Sequence, residues 1–399
     1  MPRPVLGKLF RRRPERELVP LYAASLFLMF HSASIAYLNS SYIEQYMPAT
    51  NVGMIYTVGA ALTVFIFLFI SRVLHRVGNF KLTVLLLCID LLAVGGMAFA
   101  DSLRTAVPLM VLHIITVPLL IFNIDVFLEE EIGNNEGVTG SRRGLLLALL
   151  SFVGAIAPFF SGLLVNGDEG TFSNAYVLSA ASLIPILLIL LGYFKNFTDP
   201  PYNEVQLFGA IHSFWKNKSL RNVLGAHFML QVFFVAVVVY VPLYLTQTIG
   251  LTWTEFGIII FWAQIAYVLC EYPIGIIADK YIGEREMMGV GLLILALSTA
   301  SFAFVTAASV VVWSIIMFIS RVGASLTEVT TESYFFKQTK SSDAQVISFF
   351  RVMRPLSYVF AAPLASLALL YLPFNLVFVV IALLMVVGMF FTLGITDSK

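Results

Sequence analysis

Apolar stretches long enough to cross a lipid bilayer recur throughout this chain of 399 residues. A helix needs about 20 residues to span the hydrocarbon, where every backbone N–H and C=O must be paired within the segment. Such stretches lie near 18–38, 52–70, 82–100, 107–128, 144–165, 175–194, 223–245, 255–277, 287–306, 309–335, 344–370 and 374–395. The sequence therefore predicts an all-α membrane protein with twelve transmembrane helices.

The composition agrees with a protein that faces lipid. Hydrophobic residues make up 59% of the chain and charged residues only 12%, which is about half the charge of a soluble domain. The net charge of +1 gives no reason to expect a nucleic-acid partner. The first apolar stretch is longer than the h-region of a signal peptide, so we expect it to stay as an uncleaved span.

The distribution of Lys and Arg between the spans predicts the orientation. Twenty of these residues lie in the N-terminal arm, in alternate connections and at the C-terminus, whereas the other connections hold only Arg104. Positive residues favour the cytoplasmic side of a membrane. Both termini are therefore predicted to be cytoplasmic, which fits an even number of spans. Compact termini and short loops favour the plasma (inner) membrane of a prokaryote.

The chain divides into two similar halves. Arg76-Val77-Gly78 follows the second span and Tyr281-Ile282-Gly283 follows the eighth, 205 residues later, and Ala157–Ser161 and Ala362–Ser366 have the same separation. This common offset indicates an internal duplication with two pseudo-symmetric six-helix bundles, a plan in which transporters bind substrate between the repeats. The predicted domains are a basic cytoplasmic arm (1–17), a first bundle (18–195), a cytoplasmic linker with an interfacial helix (196–221) and a second bundle (222–399).

The connection between the eighth and ninth spans carries a recognisable motif. Residues Gly275 to Arg285 read G-I-I-A-D-K-Y-I-G-E-R and resemble the loop motif G-x-L-A-D-R-x-G-R-R of the major facilitator superfamily, with one additional residue before the second glycine. The first-half copy, Ser71 to Lys81, has His75 where the family has aspartate. The resemblance implies two six-helix bundles, alternating access, and a role for this loop in latching one conformation of the transport cycle.

Other family marks are partial or missing. Residues Ala157 to Gly162 resemble the G-P-x-x-G-G element of drug/proton antiporters, with two glycines replaced by small residues, which favours an exporter among the alternatives. The Glu-x-x-Glu-Arg of peptide symporters and the Pro-Glu-Ser-Pro-Arg of sugar porters do not occur. The subfamily is therefore not identified, and the substrate stays open.

Ionisable groups inside spans are costly and mark functional positions. In the family, spans 1, 4, 7 and 10 line the cavity. Here these spans hold the substrate or coupling candidates His31, His113, His227, Gln231, Arg321, Ser325 and Glu328. Imidazoles and a guanidinium would suit an anionic substrate, and histidine titrates close to neutral pH, as a proton carrier must. The alternative for each histidine is a hydrogen bond to a neighbouring helix.

A second set of charged residues lies towards the cytoplasmic side. Glu271, Glu328, Arg351 and Arg354 fall at similar depths, so they are predicted to form an ion-pair network that acts either as a static brace or as a gate. The further gating candidates are Arg76, Asp125, Arg142, Asp279 and Lys280. Asp90, in the third span, is expected to pair with a basic residue of the 71–81 loop or of the N-terminal arm.

The leading functional prediction is a monomeric secondary active transporter that moves a small solute by alternating access, coupled to protons rather than to Na⁺. The sequence contains no G-x-x-x-x-G-K-[ST] nucleotide motif, and its five histidines show no metal-ligand spacing. We therefore expect no enzyme activity, no cofactor and no metal. The alternatives are a receptor or assembly protein on a transporter scaffold, and a drug or lipid exporter of the same fold.

Overall fold

The computed structural model describes residues 18–132, 136–165, 172–200, 202, 217–338 and 344–396. In chain order the helices are α1 (Leu18–Ala36), α2 (Asn39–Glu44), α3 (Ala49–Val77), α4 (Asn79–Met97), α5 (Leu103–Ile132), α6 (Glu136–Leu164), α7 (Phe172–Tyr193), α8 (Lys218–Thr248), α9 (Trp253–Ile277), α10 (Glu284–Ser301), α11 (Val310–Gln338), α12 (Ala344–Tyr371) and α13 (Phe374–Leu393). The predicted arm and most of the predicted linker lie outside the described residues.

Eleven of these helices are long and apolar enough to cross a membrane. Every predicted apolar stretch overlaps one long helix, which confirms an all-α, multi-pass membrane protein across the described ranges. The ninth predicted span corresponds to α10, which is 18 residues long and carries Glu284, Arg285 and Glu286 in its first turn. These three charges set α10 apart from the eleven apolar helices.

The predicted 71–81 loop is wrong. Helix α3 continues to Val77 and α4 begins at Asn79, so only Gly78 connects them, with a φ of +85° that favours glycine. Arg72, His75 and Arg76 therefore lie on the last turns of α3. The sequence predicts a loop here because charged residues end the apolar stretch, but the helix continues beyond the end of that stretch.

The additional residue in the second-half motif has a structural counterpart. A π-helical turn covers Ala278–Ile282, and the N–H of Gly283 donates to the carbonyl of Ala278, five residues back, at 3.2 Å. In the first half, the N–H of Gly78 donates to Leu74, only four residues back, at 2.8 Å. A π-helical turn accommodates one extra residue without ending the helix.

At one end of the molecule, buried residues of the two halves form a single hydrophobic core. We call this the closed end: it lies where α3 and α9 begin and where α6 and α12 end. One hydrophobic cluster there contains buried residues of both halves, among them Ile35, Tyr56, Val165, Phe256, Trp313 and Ala362. Since apolar side chains of both halves exclude solvent together there, the halves are in tight contact at this end.

The other end, which we call the split end, has separate cores. The cluster of the first half includes Leu74, Leu86 and Leu190. Two further clusters belong to the second half and include Val223, Met288, Phe335 and Ile274. The described part of the chain is therefore joined at the closed end and divided into two cores at the split end.

Glycines allow helices of the two halves to approach closely at the closed end. A Cβ added at Gly162 of α6 would lie 2.5 Å from the carbonyl oxygen of Trp253 and 3.2 Å from the Cα of Gly257 in α9. A Cβ at Gly53 of α3 would lie 2.6 Å from the carbonyl oxygen of Ala362 in α12. Backbone therefore packs on backbone at these contacts.

A polar contact lies at the edge of the closed end. The Gln247 amide at the end of α8 donates to the carboxylate of Glu44 in α2. Burial raises the pKa of Glu44 above its usual value, and the hydrogen bond from Gln247 acts in the opposite direction. This contact joins the two halves outside the apolar cluster.

Candidate functional site

Arg321 lies in α11 and is only 2% exposed. Its Nη2 donates to the hydroxyl of Tyr37, just after α1, at 3.1 Å, and its guanidinium lies over the rings of Phe233 and Phe234 at 5.7 and 5.6 Å. The Nε has no hydrogen-bond partner, and no ion pair joins Arg321 to a carboxylate among the described residues. A buried positive charge without a fixed anion thus lies where the halves meet.

The face of α11 around Arg321 carries further polar groups. Ser325, one helical turn away, is fully buried, and its hydroxyl has no partner. Glu328 is half-buried, and the charged groups that act on it electrostatically are Glu332, Arg354, Glu271 and Arg321. The predicted i, i+4, i+7 face is thus a polar face with unsatisfied hydrogen-bonding atoms.

Helix α9 packs against α11 and presents a polar face that the sequence analysis missed. Gln264, Tyr267 and Glu271 follow i, i+3 and i+7. The Oε1 of Gln264 and the hydroxyl of Tyr267 are buried without partners, and Tyr267 interacts electrostatically with both Arg321 and Glu328. The regular spacing with Glu271, which was recognised, is the sequence signal that could have revealed the other two.

His227 and Gln231 of α8 lie on the second-half side, and both are buried. The His227 Nδ1 is 3.2 Å from the hydroxyl of Thr331, its Nε2 is 3.2 Å from the Gln231 amide, and its ring stacks on Phe350 at 4.1 Å. Both ring nitrogens therefore have neutral partners. The contact with Thr331 of α11 is the hydrogen bond to a neighbouring helix that the alternative interpretation of the histidines describes, whereas Gln231 lies on the same helix.

His31 and His113 come together with Asp90 in the interior of the first half. The His31 Nε2 lies 2.8 Å from Asp90 Oδ2, a contact bent away from linear hydrogen-bond geometry, and the His113 Nδ1 lies 3.0 Å from Asp90 Oδ1. The hydroxyl of Thr116 donates to Asp90 Oδ1 at 2.7 Å. We call His31, Asp90 and His113 the triad. The expected pairing of Asp90 with the 71–81 region is therefore wrong, because the histidines of α1 and α5 occupy its carboxylate.

The predicted gating residues are only partly described. Glu271 and Glu328 interact electrostatically, but no ion pair joins either to Arg354, which is exposed, in the described part of the chain. Asp125 is half-buried near the end of α5, and it makes a polar or electrostatic contact. The side chains of Arg351, Arg142, Asp279 and Lys280 lie outside the described residues.

Arg76 lines a cleft of about 580 Å³ beside the α3–α4 junction. Asp199 enters this junction from the segment after α7, where its Oδ1 accepts the backbone N–H of Asn79 at 2.7 Å and the hydroxyl of Tyr202. The carboxylate thus caps the first turn of α4. In the sequence, Asp199 stands before Pro200 and Pro201, and nothing in this pattern predicts the contact with α4.

Three comparisons bear on the class of protein. The sequence model of the Major Facilitator Superfamily matches residues 223–399. A mutant of the nucleoside transporter NupG has a similar crystal structure, with a TM-score of 0.75 over 94% of this chain and 99% of that chain, at 13% sequence identity. Comparison with curated proteins finds no match.

The fold, with its buried polar groups between and within two helical halves, defines a multi-pass membrane protein of the transporter class. The second half of the chain matches the sequence model of the Major Facilitator Superfamily, and the chain as a whole shares the fold of the nucleoside transporter NupG. The resemblance seen in the loop motif is thereby confirmed.

Proposed function

We propose that this protein is a secondary active transporter that moves a small anionic solute across a membrane by alternating access, driven by protons. The observation that carries the proposal is the buried, carboxylate-free guanidinium of Arg321 at the meeting point of the halves. A positive charge in a low-dielectric site is stable only with an anion or water beside it. An anionic group of the solute supplies that partner.

The neighbouring groups favour a hydrogen-bonding solute. Arg321 Nε, Ser325 Oγ, Gln264 Oε1 and Tyr267 Oη each lack a partner, and unpaired buried polar atoms are unusual in folded proteins. A bound carboxylate or phosphate accepts from the donors among them. The unpaired atoms thus mark the place where a solute is held.

The two ends of the molecule favour alternating access. Separate cores at the split end and one shared core at the closed end are what one state of a rocking carrier requires. In the proposed topology, with twelve spans and both termini in the cytoplasm of a prokaryotic cell, the split end faces inward. The proposed domains are those of the sequence analysis, and the proposed working unit is a monomer in the plasma membrane.

Flux through purified protein in proteoliposomes tests this function. Matched solutes that differ in charge, such as nucleosides and nucleoside monophosphates, are offered with and without an imposed proton gradient, together with carboxylates and cationic drugs. We expect the anionic members to be carried and the gradient to drive accumulation. Transport of neutral nucleosides alone would refute the anionic substrate but retain the carrier. Absence of flux with every solute would favour a receptor or assembly protein.

Arg321→Ala tests the site directly, with the exposed Arg104→Ala as the matched control. Removing a charge-assisted contact to a buried anion costs about 2–5 kcal/mol. We therefore expect transport of the anion, measured as kcat/KM, to fall at least about 30-fold in Arg321→Ala and to stay unchanged in the control. Unchanged transport by Arg321→Ala would exclude this arginine as the anion site.

A further inference from the structure

The triad is set apart from the Arg321 site, within the first half. Its members come from α1, α4 and α5, and Ser179 of α7 completes the set. His31 and Asp90 are fully buried, and His113 is 5% exposed. A carboxylate this deep in a membrane protein requires compensation of its charge.

The polar atoms in contact with His31 indicate its protonation state. Its Nε2 faces Asp90 Oδ2 at 2.8 Å, and its Nδ1 faces the carbonyl oxygen of Ser179 at 3.0 Å. The Ser179 hydroxyl is also 2.9 Å from Nδ1. While that hydroxyl donates to the backbone, both ring nitrogens face only a carboxylate oxygen and a carbonyl oxygen, which can only accept, so the contacts are favourable when both nitrogens carry a proton. The hydroxyl of Ser179 then donates to the carbonyl of His31, at 2.9 Å.

Charge balance gives the same result. With two neutral imidazoles, the fully buried triad has a net charge of −1, whereas one imidazolium makes it neutral. The charged groups that act on Asp90 in the described residues are His113 and His31 alone. Among the described side chains, the other titratable groups in the interior of these helices are Cys88 on α4 and Tyr176 on α7, whose hydroxyl donates to Asn39. The remaining ones lie nearer the helix ends: Tyr22 on α1, Lys81 on α4, Arg104, Asp125 and Glu130 on α5, and Tyr193 on α7. Helix α6 carries no charged residue between Leu146 and Leu164.

The distances favour a proton over a metal ion. The three donor groups are of kinds that also ligate metals, and their atoms lie within 4.8 Å of one another. Metal bonds of about 2.0–2.1 Å in tetrahedral geometry place neighbouring ligand atoms about 3.3 Å apart. The nitrogen–oxygen contacts of 2.8 and 3.0 Å are shorter than this, so the atoms touch directly and only a proton fits between them.

The triad is connected to the Arg321 site through one helix. His31 lies in α1 and Tyr37, whose hydroxyl accepts from Arg321, follows six residues later, which is about 9 Å along a helix. Loss of the proton leaves a buried negative charge that favours rearrangement of α1, and any movement of α1 displaces Tyr37. The protonation of the triad and the contact between the halves are thereby joined.

We propose that the triad of His31, Asp90 and His113 is the binding site of the coupling proton, separate from the site of the solute. This inference rests on the proposed transport function. It assigns proton binding to the first half and solute binding to the second-half face around Arg321, so the two activities can be separated by mutation.

Asp90→Asn and His31→Gln test this assignment, with Ser161→Ala as a control at a buried residue whose hydroxyl bonds only within its own helix. Two transport measurements are made in proteoliposomes: solute exchange at equal pH, and accumulation driven by a pH gradient. We expect the variants to exchange solute within about threefold of the original protein and to lose gradient-driven accumulation. A pH-sensitive dye inside the vesicles should show no solute-dependent proton entry.

The possible failures are distinguishable. If the original protein shows no exchange, the transport function itself is refuted and the coupling role with it. If the variants still accumulate solute from a pH gradient, only the triad is refuted. If the variants lose solute exchange as well as accumulation, and their melting temperature equals that of Ser161→Ala, the triad is a structural brace and its role in proton binding is refuted. Should a variant fail to fold, the milder Thr116→Val is measured in the same way. If the original protein binds Zn²⁺ stoichiometrically and Asp90→Asn does not, the triad is a metal site and not a proton site.

Discussion

The two halves treat buried charge in opposite ways. In the first half, Asp90 is surrounded by two imidazoles and a hydroxyl, so its charge is compensated by the protein itself. In the second half, Arg321 contacts a hydroxyl and two aromatic rings, and no carboxylate of the described residues pairs with it. The two halves thus hold one paired and one unpaired charge.

This difference indicates which of the two buried charges needs an external ligand. A charge that is compensated internally can stay buried through a conformational change, or exchange a proton with little other adjustment. A charge without a partner is costly until a ligand arrives, so it gives binding energy to the ligand. The predicted internal repeat agrees with this contrast, because the position 205 residues after Asp90 is the buried, apolar Leu295.

The largest expected effect comes from giving Arg321 an internal partner. Ser325→Asp places a carboxylate one turn away on the same face of α11. We expect transport of the anionic solute to fall by about 100-fold or more, since the new carboxylate competes with the solute for the guanidinium at a cost of about 2–5 kcal/mol. Initial rates in proteoliposomes measure this. Ser325→Asn, of similar size and neutral, should retain most activity, and equal losses in both variants would contradict the electrostatic explanation.

The contact between Arg321 and the first half should have a smaller effect. Tyr37→Phe removes the hydroxyl that accepts from Arg321, and a hydrogen bond to a charged group contributes about 1.5–3 kcal/mol. We expect kcat/KM to fall about tenfold. The matched control is Tyr42→Phe, whose hydroxyl donates to Met97 within the first half. A control as impaired as Tyr37→Phe would mean that the link to the second half has no special importance.

Replacing Ser179 should change the pH dependence of transport without removing proton coupling. When His31 has lost a proton, the Ser179 hydroxyl, 2.9 Å away, can donate to Nδ1 instead of to the backbone. Ser179→Ala removes this option and destabilises the deprotonated triad by about 1 kcal/mol. The proton is then held more tightly, so the midpoint of the transport pH profile should move to higher pH by about half to one unit. A midpoint that moves to lower pH, or not at all, would contradict the assigned hydrogen bonds.

The smallest effect is expected at the edge of the closed end. Gln247→Ala removes an exposed hydrogen bond to Glu44, and such contacts contribute about 0.5–1 kcal/mol. Transport by Gln247→Ala should change less than about threefold. A cysteine introduced beside α2 should react slightly faster with thiol reagents in this variant than in the protein that retains Gln247. A loss as large as that of Ser325→Asp would show that the polar edge, and not Arg321, controls the contact between the halves.

The sequence predicts the helices well because their lengths follow from the thickness of the hydrocarbon. Helix α12, for example, covers Ala344–Tyr371 where 344–370 was predicted, and α8 to α13 repeat the order of the first half. The ends are predicted less well. At His75 and Arg76 the apolar pattern stops, but the backbone remains helical in the polar region beyond the hydrocarbon, where no packing rule ends a helix before Gly78.

The candidate sites were predicted in part, and for a physical reason. Arg321, Ser325 and Glu328 share one helix, so their spacing alone places them on one face. Asp90, His31 and His113 are on three helices, and their meeting depends on how each helix is rotated in the bundle, which single-helix periodicity does not contain. Gln264 and Tyr267 were missed because neither is charged, although both follow the same periodicity as Glu271.

The glycine contacts at the closed end have a consequence for movement. Between α6 and α9, the backbone around Gly162 touches Gly257 directly, because neither residue has a Cβ that would hold the two backbones apart. At these two positions the backbones can separate and meet again without a side chain changing its rotamer, so this part of the contact adds no repacking cost to the activation barrier. A valine at Gly162 would put its Cβ 2.5 Å from the carbonyl oxygen of Trp253, so it would hold the two helices apart and disfavour the state in which this end is closed.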